Sequence, residues 1–409
     1  MQSVCVRLGA GDADIDPLEL GARTGLLWSR NGLILAGINE AARIPVSRPG
    51  GAARAQAELA DLAGPSDLAL PATGPLAFGA FPFDREAPGE LIVPQVVVGL
   101  DPAGNRWMTT VGIGHDDGLS LARSLLTTPA DTAPQATSYE LRSAITPEQW
   151  RDDVVAVVRD RIRQGEFNKV VLARELLLDT NEPIDVAAVL RRLHQSFGTA
   201  IIFAVDGFVG ASPELLVSRD VEMVRAHPLA GTAPRSSDPV RDGELAAALN
   251  VSTKDQTEHR ITIDWLLDNL LPYCSYVDAE PEPAIITLPN VHHLGTKVEG
   301  RLSTPAASVL ELVAALHPTP AVGGDPQAAA LQAIDQVEPG DRGLYAGPVG
   351  WVDGAGNGEF AVGLRSGHIR GKTASVWAGV GVVNESDPEA ELAETRAKFQ
   401  AMLGALLRP

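Results

Sequence analysis

TAIIFAV (Thr199–Val205), DG (Asp206-Gly207) and FVGASPELLVS (Phe208–Ser218) follow one another without interruption, and their reading decides the fold. Two β-branched, aliphatic runs joined by two residues of type Asp-Gly predict a β-hairpin. A second turn at Arg219-Asp220 leads to another strand, Val221–Ala226. The pattern returns near the end of the chain as Leu344–Val352, a loop from Asp353 to Gly358, Glu359–Arg365 and Ser375–Val383. Hairpins require antiparallel pairing, and here they come in clusters separated by helical segments. The expected class is therefore α+β, with antiparallel sheets flanked by helices, and not a doubly wound parallel fold.

Working outward, Thr146 caps a predicted helix with Pro147 at its first position and Gln149 three residues on. Trp150, Val154, Val157, Val158 and Ile162 form its apolar stripe. A strand starts at Lys169 after that helix stops near Gly165. Ser252 with Asp255 opens a helix running to about Leu271, and a terminal helix begins near Asp387-Pro388. The first 130 residues say less: Ala52–Leu62 reads as a helix, Val96–Leu100 and Trp107–Ile113 as strands, and Thr127–Ser138 as a linking loop.

Composition narrows the function. The chain has 409 residues, a net charge of −19 and two cysteines, Cys5 and Cys274, without metal-ligand spacing. No apolar run is long enough to span a bilayer, and no secretory leader is evident. A soluble cytoplasmic protein is expected. The negative charge disfavours nucleic acid and anionic membranes as partners. An anionic substrate would have to be held by local cations, a metal or backbone N–H groups.

Several side chains stand out against that background. Alternation puts Lys169, Val171 and Ala173 on one strand face and Arg174 on the other. Lys169 reads either as a desolvated general base or as a strand-end lysine reaching solvent along its stem. Glu214, in SPELL (Ser212–Leu216), reads either as a buried general acid or as a solvated residue at a bulge or edge position that tolerates Pro213. Glu258, Glu391 and Glu394 suit a hard divalent cation, yet Lys254/Glu258 and Glu394/Lys398 also have the spacing of solvated helix pairs. Pro228–Thr232 and Ala378–Gly381 end strands with small residues that let backbone approach an anion. Arg365 is a candidate carboxylate fork. His293 reads either as a polar site residue or as a satisfied core histidine.

Ten segments in order, KVVLARE, ASPELLVSR, HPLAGTAPR, KDQTEHR, VHHLGTKVEG, LHPTPAVGG, GLYAGPVGW, FAVGLRSG, AGVGVV and SDPEAELAETRAKF, resemble the chorismate-utilising enzymes over residues 140–405. That resemblance implies one large domain with a central active-site cleft, residues 1–135 being a variable leading part and 136–409 the catalytic core. It implies Mg²⁺-dependent chemistry on chorismate, in which a nucleophile adds at C2 as the C4 hydroxyl leaves. By motif position Lys169 is the base and Glu214 the acid. Glu258 and Glu394 bind Mg²⁺, with Glu391 acting through water. Arg365 and Tyr345 hold the enolpyruvyl carboxylate, and Gly231, Thr232, His293, Gly379, Gly381 and Lys398 complete the substrate surface.

The resemblance also separates family members. Lys169 matches the water-using enzymes, whereas the amine-using ones resemble this motif with glutamine. Ala230 stands where aminodeoxychorismate synthases carry a lysine nucleophile, and no LLES-type feedback motif is found in the leading region. His317–Gly324 is similar to isochorismate synthases. The expected activity is isochorismate synthase, an isomerase serving menaquinone or siderophore synthesis, acting as a monomer without a glutaminase subunit. Salicylate synthase and a non-catalytic chorismate-binding protein are the alternatives.

Overall fold

Asp206 and Gly207 both take left-handed backbone, φ 49° and 80°, as a two-residue type I′ turn requires. Ile201–Val205 accordingly pairs antiparallel with Phe208–Ser212, Val205 opposite Phe208. The computed structural model describes all residues except 48–49, 67, 69, 129–135 and 408–409. The expected boundary at residue 135 and most of the Thr127–Ser138 linker lie outside the described residues.

The hairpin belongs to a 19-stranded sheet. Phe208–Ser212 also pairs with Ser366–Arg370, which pairs with Thr373–Val382, which pairs with Lys169–Thr180. In the other direction Leu215–Asp220 pairs with Met223–His227 and with Gly358–Val362, and the latter with Pro348–Asp353. The leading region is woven into the same sheet: Leu27–Arg30 pairs with Ile201–Val205, Leu33–Val46 with Gly89–Leu100, and Leu76–Ala80 with Pro348–Asp353. These pairings are all antiparallel. A small separate sheet, Leu229–Pro234, Val291–Gly295 and Ala284–Thr287, stands beside it. The class is α+β, in one large domain.

The strand expected over Phe208–Ser218 is broken at Pro213-Glu214. Pro213 has no N–H for a ladder. The Glu214 N–H donates to Ser212 Oγ at 3.2 Å, whose own hydroxyl donates to the Val362 carbonyl at 2.6 Å. The chain thereby leaves one set of strand partners and joins another. Its neighbour does the same. The strand expected over Glu359–Arg365 ends at Val362, and a new one starts at Ser366. The two crossings are stitched together by Val362 N–H to Glu214 O and Ala211 N–H to Arg365 O, each at 3.1 Å.

Other expectations shift for local reasons. The turn placed at Arg219-Asp220 falls at Val221-Glu222. Val221 is held at φ 56° because its N–H donates to Asn357 Oδ1 at 2.8 Å and its carbonyl accepts from Arg219 Nε at 3.0 Å. The predicted strand from Leu344 starts at Pro348, after a loop in which Ala346 has φ 61°. The Thr146 capping box forms as its residues predict. The next turn, Trp150–Val155, is π-helical. Trp150, Val154, Val158 and Ile162 are buried as expected; with the extra residue of the π turn Val155 joins them and Val157 is left 44% exposed. Trp150 is fully buried in the main core, with the Arg174 guanidinium 5.9 Å from its ring centroid, and its Nε1 donates to the Ala173 carbonyl at 3.2 Å. A side chain of that size contributes about 1.5–3 kcal/mol by burial.

Ser252 Oγ accepts from the Asp255 N–H and opens the helix Thr253–Leu270. The terminal helix is Pro388–Leu407. Among the described residues no helix is long and apolar enough to cross a membrane. Both cysteines are free and buried.

Candidate active site

The two crossings, the start of Lys169–Thr180, the small sheet and the helices Thr253–Leu270 and Pro388–Leu407 enclose a cleft of about 730 Å³ including its mouth. That size suits a small organic molecule. Glu214, Gly231, Thr232, Glu258, His293, Tyr345, Arg365, Gly379, Gly381, Glu391, Glu394 and Lys398 all line it. Lys169 is the one candidate that does not; it lies behind Glu258.

Lys169 is fully buried, so the solvent-reaching alternative is excluded. Its Nζ is 2.9 Å from Glu258 Oε1 and makes no well-aligned hydrogen bond. Burial alone would raise the Glu258 carboxyl, but the charges of Lys169, Lys254 and Lys398 outweigh it and hold the group below its ordinary value. Gly381 makes this packing possible: a Cβ there would stand 2.6 Å from Glu258 Oε1 and 3.1 Å from Lys169 Cε.

Glu214 is 2% exposed. Pro213 sits in the break between two strands, the register shifts follow Leu215, and the carboxyl points inward. Burial pushes it to about 8, against the lowering pull of the Leu229 N–H and of Lys169, Arg365 and Lys398. It is a carboxylic acid at neutral pH.

Arg365, at φ 49°, turns its guanidinium into the cleft. Nη2 donates to His293 Nε2 at 3.0 Å. Arginine has no acceptor, so His293 must be neutral with its proton on Nδ1. That proton points to the Gly231 carbonyl, 3.1 Å away, with Thr232 Oγ1 at the same distance. Burial and the Arg365 charge hold the imidazole far below its ordinary range. Arg365 Nε has no partner, and among the described residues no carboxylate lies within ion-pair distance of it. A buried cation without an ion-pair partner beside an enclosed cleft can take a carboxylate. Tyr345 stacks on Trp377 with centroids 5.9 Å apart, and burial pushes its hydroxyl up to about 12.

The three glutamates are not surface pairs. The expected Lys254/Glu258 pair along one helix is replaced by pairs between elements, Lys169 with Glu258 and Lys254 with Glu391 at 3.5 Å. Glu394 does pair with Lys398 at 2.6 Å, and Lys398 Nζ also donates to the Gly379 carbonyl at 2.8 Å. Burial, then the neighbouring Glu394, pushes the Glu391 carboxyl up to about 7. Among the described residues no three ligating side chains converge at bonding distance. Mg²⁺ takes one or two protein carboxylates and completes its shell with water and substrate. Three carboxylates crowded on one wall, each neutralised by a lysine, fit such an ion.

Lys254 and Asp255 also line the cleft and were not singled out as site residues from sequence. The available signal was their place on the Glu258 face, four and three residues before it. Val171, Leu229, Val322 and Leu364 supply an apolar wall.

A profile described as chorismate binding enzyme matches residues 19–407. The chain belongs to the chorismate-binding enzyme family. Within this family, isochorismate synthase DhbC of Bacillus subtilis is 38% identical over 343 residues, 81% of each chain. Isochorismate synthase MenF of the same organism is 35% identical over 359 residues, 82% of this chain and 75% of that protein. Among solved structures, MenF, the menaquinone-specific isochorismate synthase of Escherichia coli, superposes with a TM-score of 0.80 at 25% identity, covering 100% of this chain and 94% of that one. Family membership thus rests on nearly the whole chain, leading region included.

Proposed function

We propose that the chain is an isochorismate synthase, an isomerase that converts chorismate to isochorismate with Mg²⁺ as cofactor. One observation carries this reading most: the Glu214 carboxyl is buried on the wall of a cleft, where burial pushes it up to about 8, while the other charged wall offers lysines and an arginine without an ion-pair partner among the described residues. That is the arrangement needed to expel a hydroxyl from a dianionic ring.

Lys169, which pairs with Glu258 while protonated, acts in its neutral amine form: from behind Glu258 at the head of the strand it takes a proton from water as the water oxygen bonds to C2. The ring double bond shifts, the C4–O bond breaks, and Glu214 gives its proton to the departing hydroxyl. One water is consumed and one released. The step leaves an ammonium and a carboxylate, and a net proton transfer from Lys169 to Glu214 restores the pair. Microscopic reversibility assigns the same two groups, with roles exchanged, to the return reaction. Arg365, oriented by His293, holds the enolpyruvyl carboxylate, and the tyrosyl hydroxyl of Tyr345 lies beside it. Gly231, Thr232, Gly379, Gly381 and Lys398 frame the ring. Glu258 and Glu394 would hold Mg²⁺, with Glu391 reaching it through water. The ion would supply a hard Lewis acid for the ring carboxylate and take up carboxylate charge that the lysines balance without it.

We take the protein to work in the cytoplasm as a monomer without a glutaminase subunit, since water and not ammonia is the nucleophile for a lysine at position 169. Incubation with chorismate and Mg²⁺ followed by separation of products tests the reading. Isochorismate without pyruvate supports it. Salicylate with pyruvate would make the chain a salicylate synthase, and an ammonia-dependent aromatic amine would overturn the role of Lys169.

A further inference from the structure

Three lysines neutralise three glutamates around the cleft, and they are not alike. Lys169 is fully buried, with its side chain 0% exposed and its Nζ 2.9 Å from Glu258. Lys398 is 10% exposed and doubly tied, to Glu394 at 2.6 Å and to the Gly379 carbonyl at 2.8 Å. Lys254 is 35% exposed, its contact with Glu391 is 3.5 Å, and this is its single ion pair among the described residues. Its ammonium reaches the cleft from the rim on a flexible stem, so it can withdraw to water without leaving a buried charge behind. Glu391, by contrast, is only 4% exposed and stands against Glu394. A carboxylate there needs a cation from some source.

We propose that Lys254 is a tethered counter-ion: it balances Glu391 while the cleft holds no divalent cation, and it withdraws to the rim when one binds. The inference rests on the Mg²⁺ reading above and adds to it a named residue that competes with the ion. The three ion pairs then divide by function. Lys169 stays for chemistry, Lys398 stays as part of the frame, and Lys254 is exchangeable. Without such a residue, like-charged carboxylates facing one cleft would repel one another whenever the ion is absent. Because the residue is displaced and not a ligand, its removal favours the metal.

The test measures metal binding and lysine accessibility, not turnover. Mn²⁺ is titrated into wild type and Lys254→Met by electron paramagnetic resonance, with and without chorismate. Under the condition in which wild type binds, lysines are labelled with acetic anhydride and quantified by peptide mass spectrometry at zero and saturating Mn²⁺. The expected result is a severalfold rise in Lys254 labelling on Mn²⁺ binding, with Lys169 and Lys398 protected throughout. Lys254→Met should bind Mn²⁺ roughly two- to fivefold tighter, the size of a partly exposed ion pair. Labelling of Lys254 that stays level or falls overturns the inference while leaving the metal reading intact. So does weaker Mn²⁺ binding by Lys254→Met, which would make Lys254 a residue that positions Glu391. Absence of Mn²⁺ binding to either protein in both conditions overturns the metal reading and this inference together. The labelling arm uses the wild-type protein, so it holds even if the variant folds poorly.

Discussion

Replacing Glu214 with glutamine should inactivate the protein and stabilise it, and the size of the second effect follows from the buried carboxyl. The group has an ordinary value of 4.5 and is pushed to about 8 by burial. Below pH 4.5 it is protonated in both folded and unfolded chains and contributes no pH dependence. Between 4.5 and 8 the unfolded chain ionises while the folded one does not, so wild-type stability falls by about 1.4 kcal/mol per pH unit. Above 8 both forms are ionised and the loss is complete, at roughly 5 kcal/mol. Glutamine is neutral throughout. Glu214→Gln should therefore match wild type near pH 5 and exceed it by roughly 3 kcal/mol at pH 7 and more at pH 8, less the cost of an imperfectly bonded amide. Urea melts of both proteins from pH 5 to 8, in chelator and without substrate, measure this directly. Isochorismate formation should fall about 100- to 10,000-fold, because an amide cannot act as the acid. A stability difference that does not change between pH 5 and 8 would refute the claim that Glu214 keeps its proton.

Lys169→Ala should lose a similar 100- to 10,000-fold in turnover while keeping Mg²⁺-dependent chorismate binding by calorimetry, and the double variant with Glu214→Gln should lose much less than the product of the two, as groups acting in one displacement do. In the pH profile of wild-type turnover, the alkaline limb should fall as Glu214 loses its proton near pH 8, with limbs read as macroscopic values of the acid–base pair. Glu258→Gln and Glu394→Gln should each raise the Mg²⁺ concentration needed for half-maximal activity by about tenfold or more, since each removes one charged oxygen donor; unchanged metal dependence in both would return these carboxylates to a structural role. Arg365→Lys should raise KM for chorismate about tenfold or more with a smaller change in kcat, because an ammonium lacks the planar fork; an unchanged KM would remove Arg365 from the carboxylate site.

How much of this was legible in the sequence depended on how local each feature is. The Asp206-Gly207 turn, the Thr146 capping box and the Ser252 cap are set by neighbouring residues, and each forms as read. Trp150, Val154, Val158 and Ile162 are buried as read, and Val157 alone is not, because nothing in residues 150–155 announces a π-helical turn. Val221 failed because its left-handed backbone is fixed by the side chain of Asn357, far along the chain. For Glu214 the solvated reading failed: Pro213 breaks the strand where two strands cross between partners, and that crossing buries the carboxyl. The lysine–glutamate pairing was the least legible. Spacing along a helix pointed Lys254 at Glu258, whereas the fold gives Glu258 to Lys169 and sends Lys254 to Glu391, 137 residues away. Which cation meets which carboxylate is decided by the packing of two helices on a strand, and no local pattern carries that information.

The central claim is that a base at Lys169 and an acid at Glu214 exchange one hydroxyl for another taken from solvent. It is tested most directly by running the reaction in ¹⁸O-labelled water with Mg²⁺ and analysing the isochorismate by mass spectrometry and carbon-13 NMR at early times. The account predicts one ¹⁸O in each product molecule, located on C2, with no pyruvate released. Isochorismate carrying unlabelled oxygen at C2 would mean that the hydroxyl migrates within the substrate, and would contradict it.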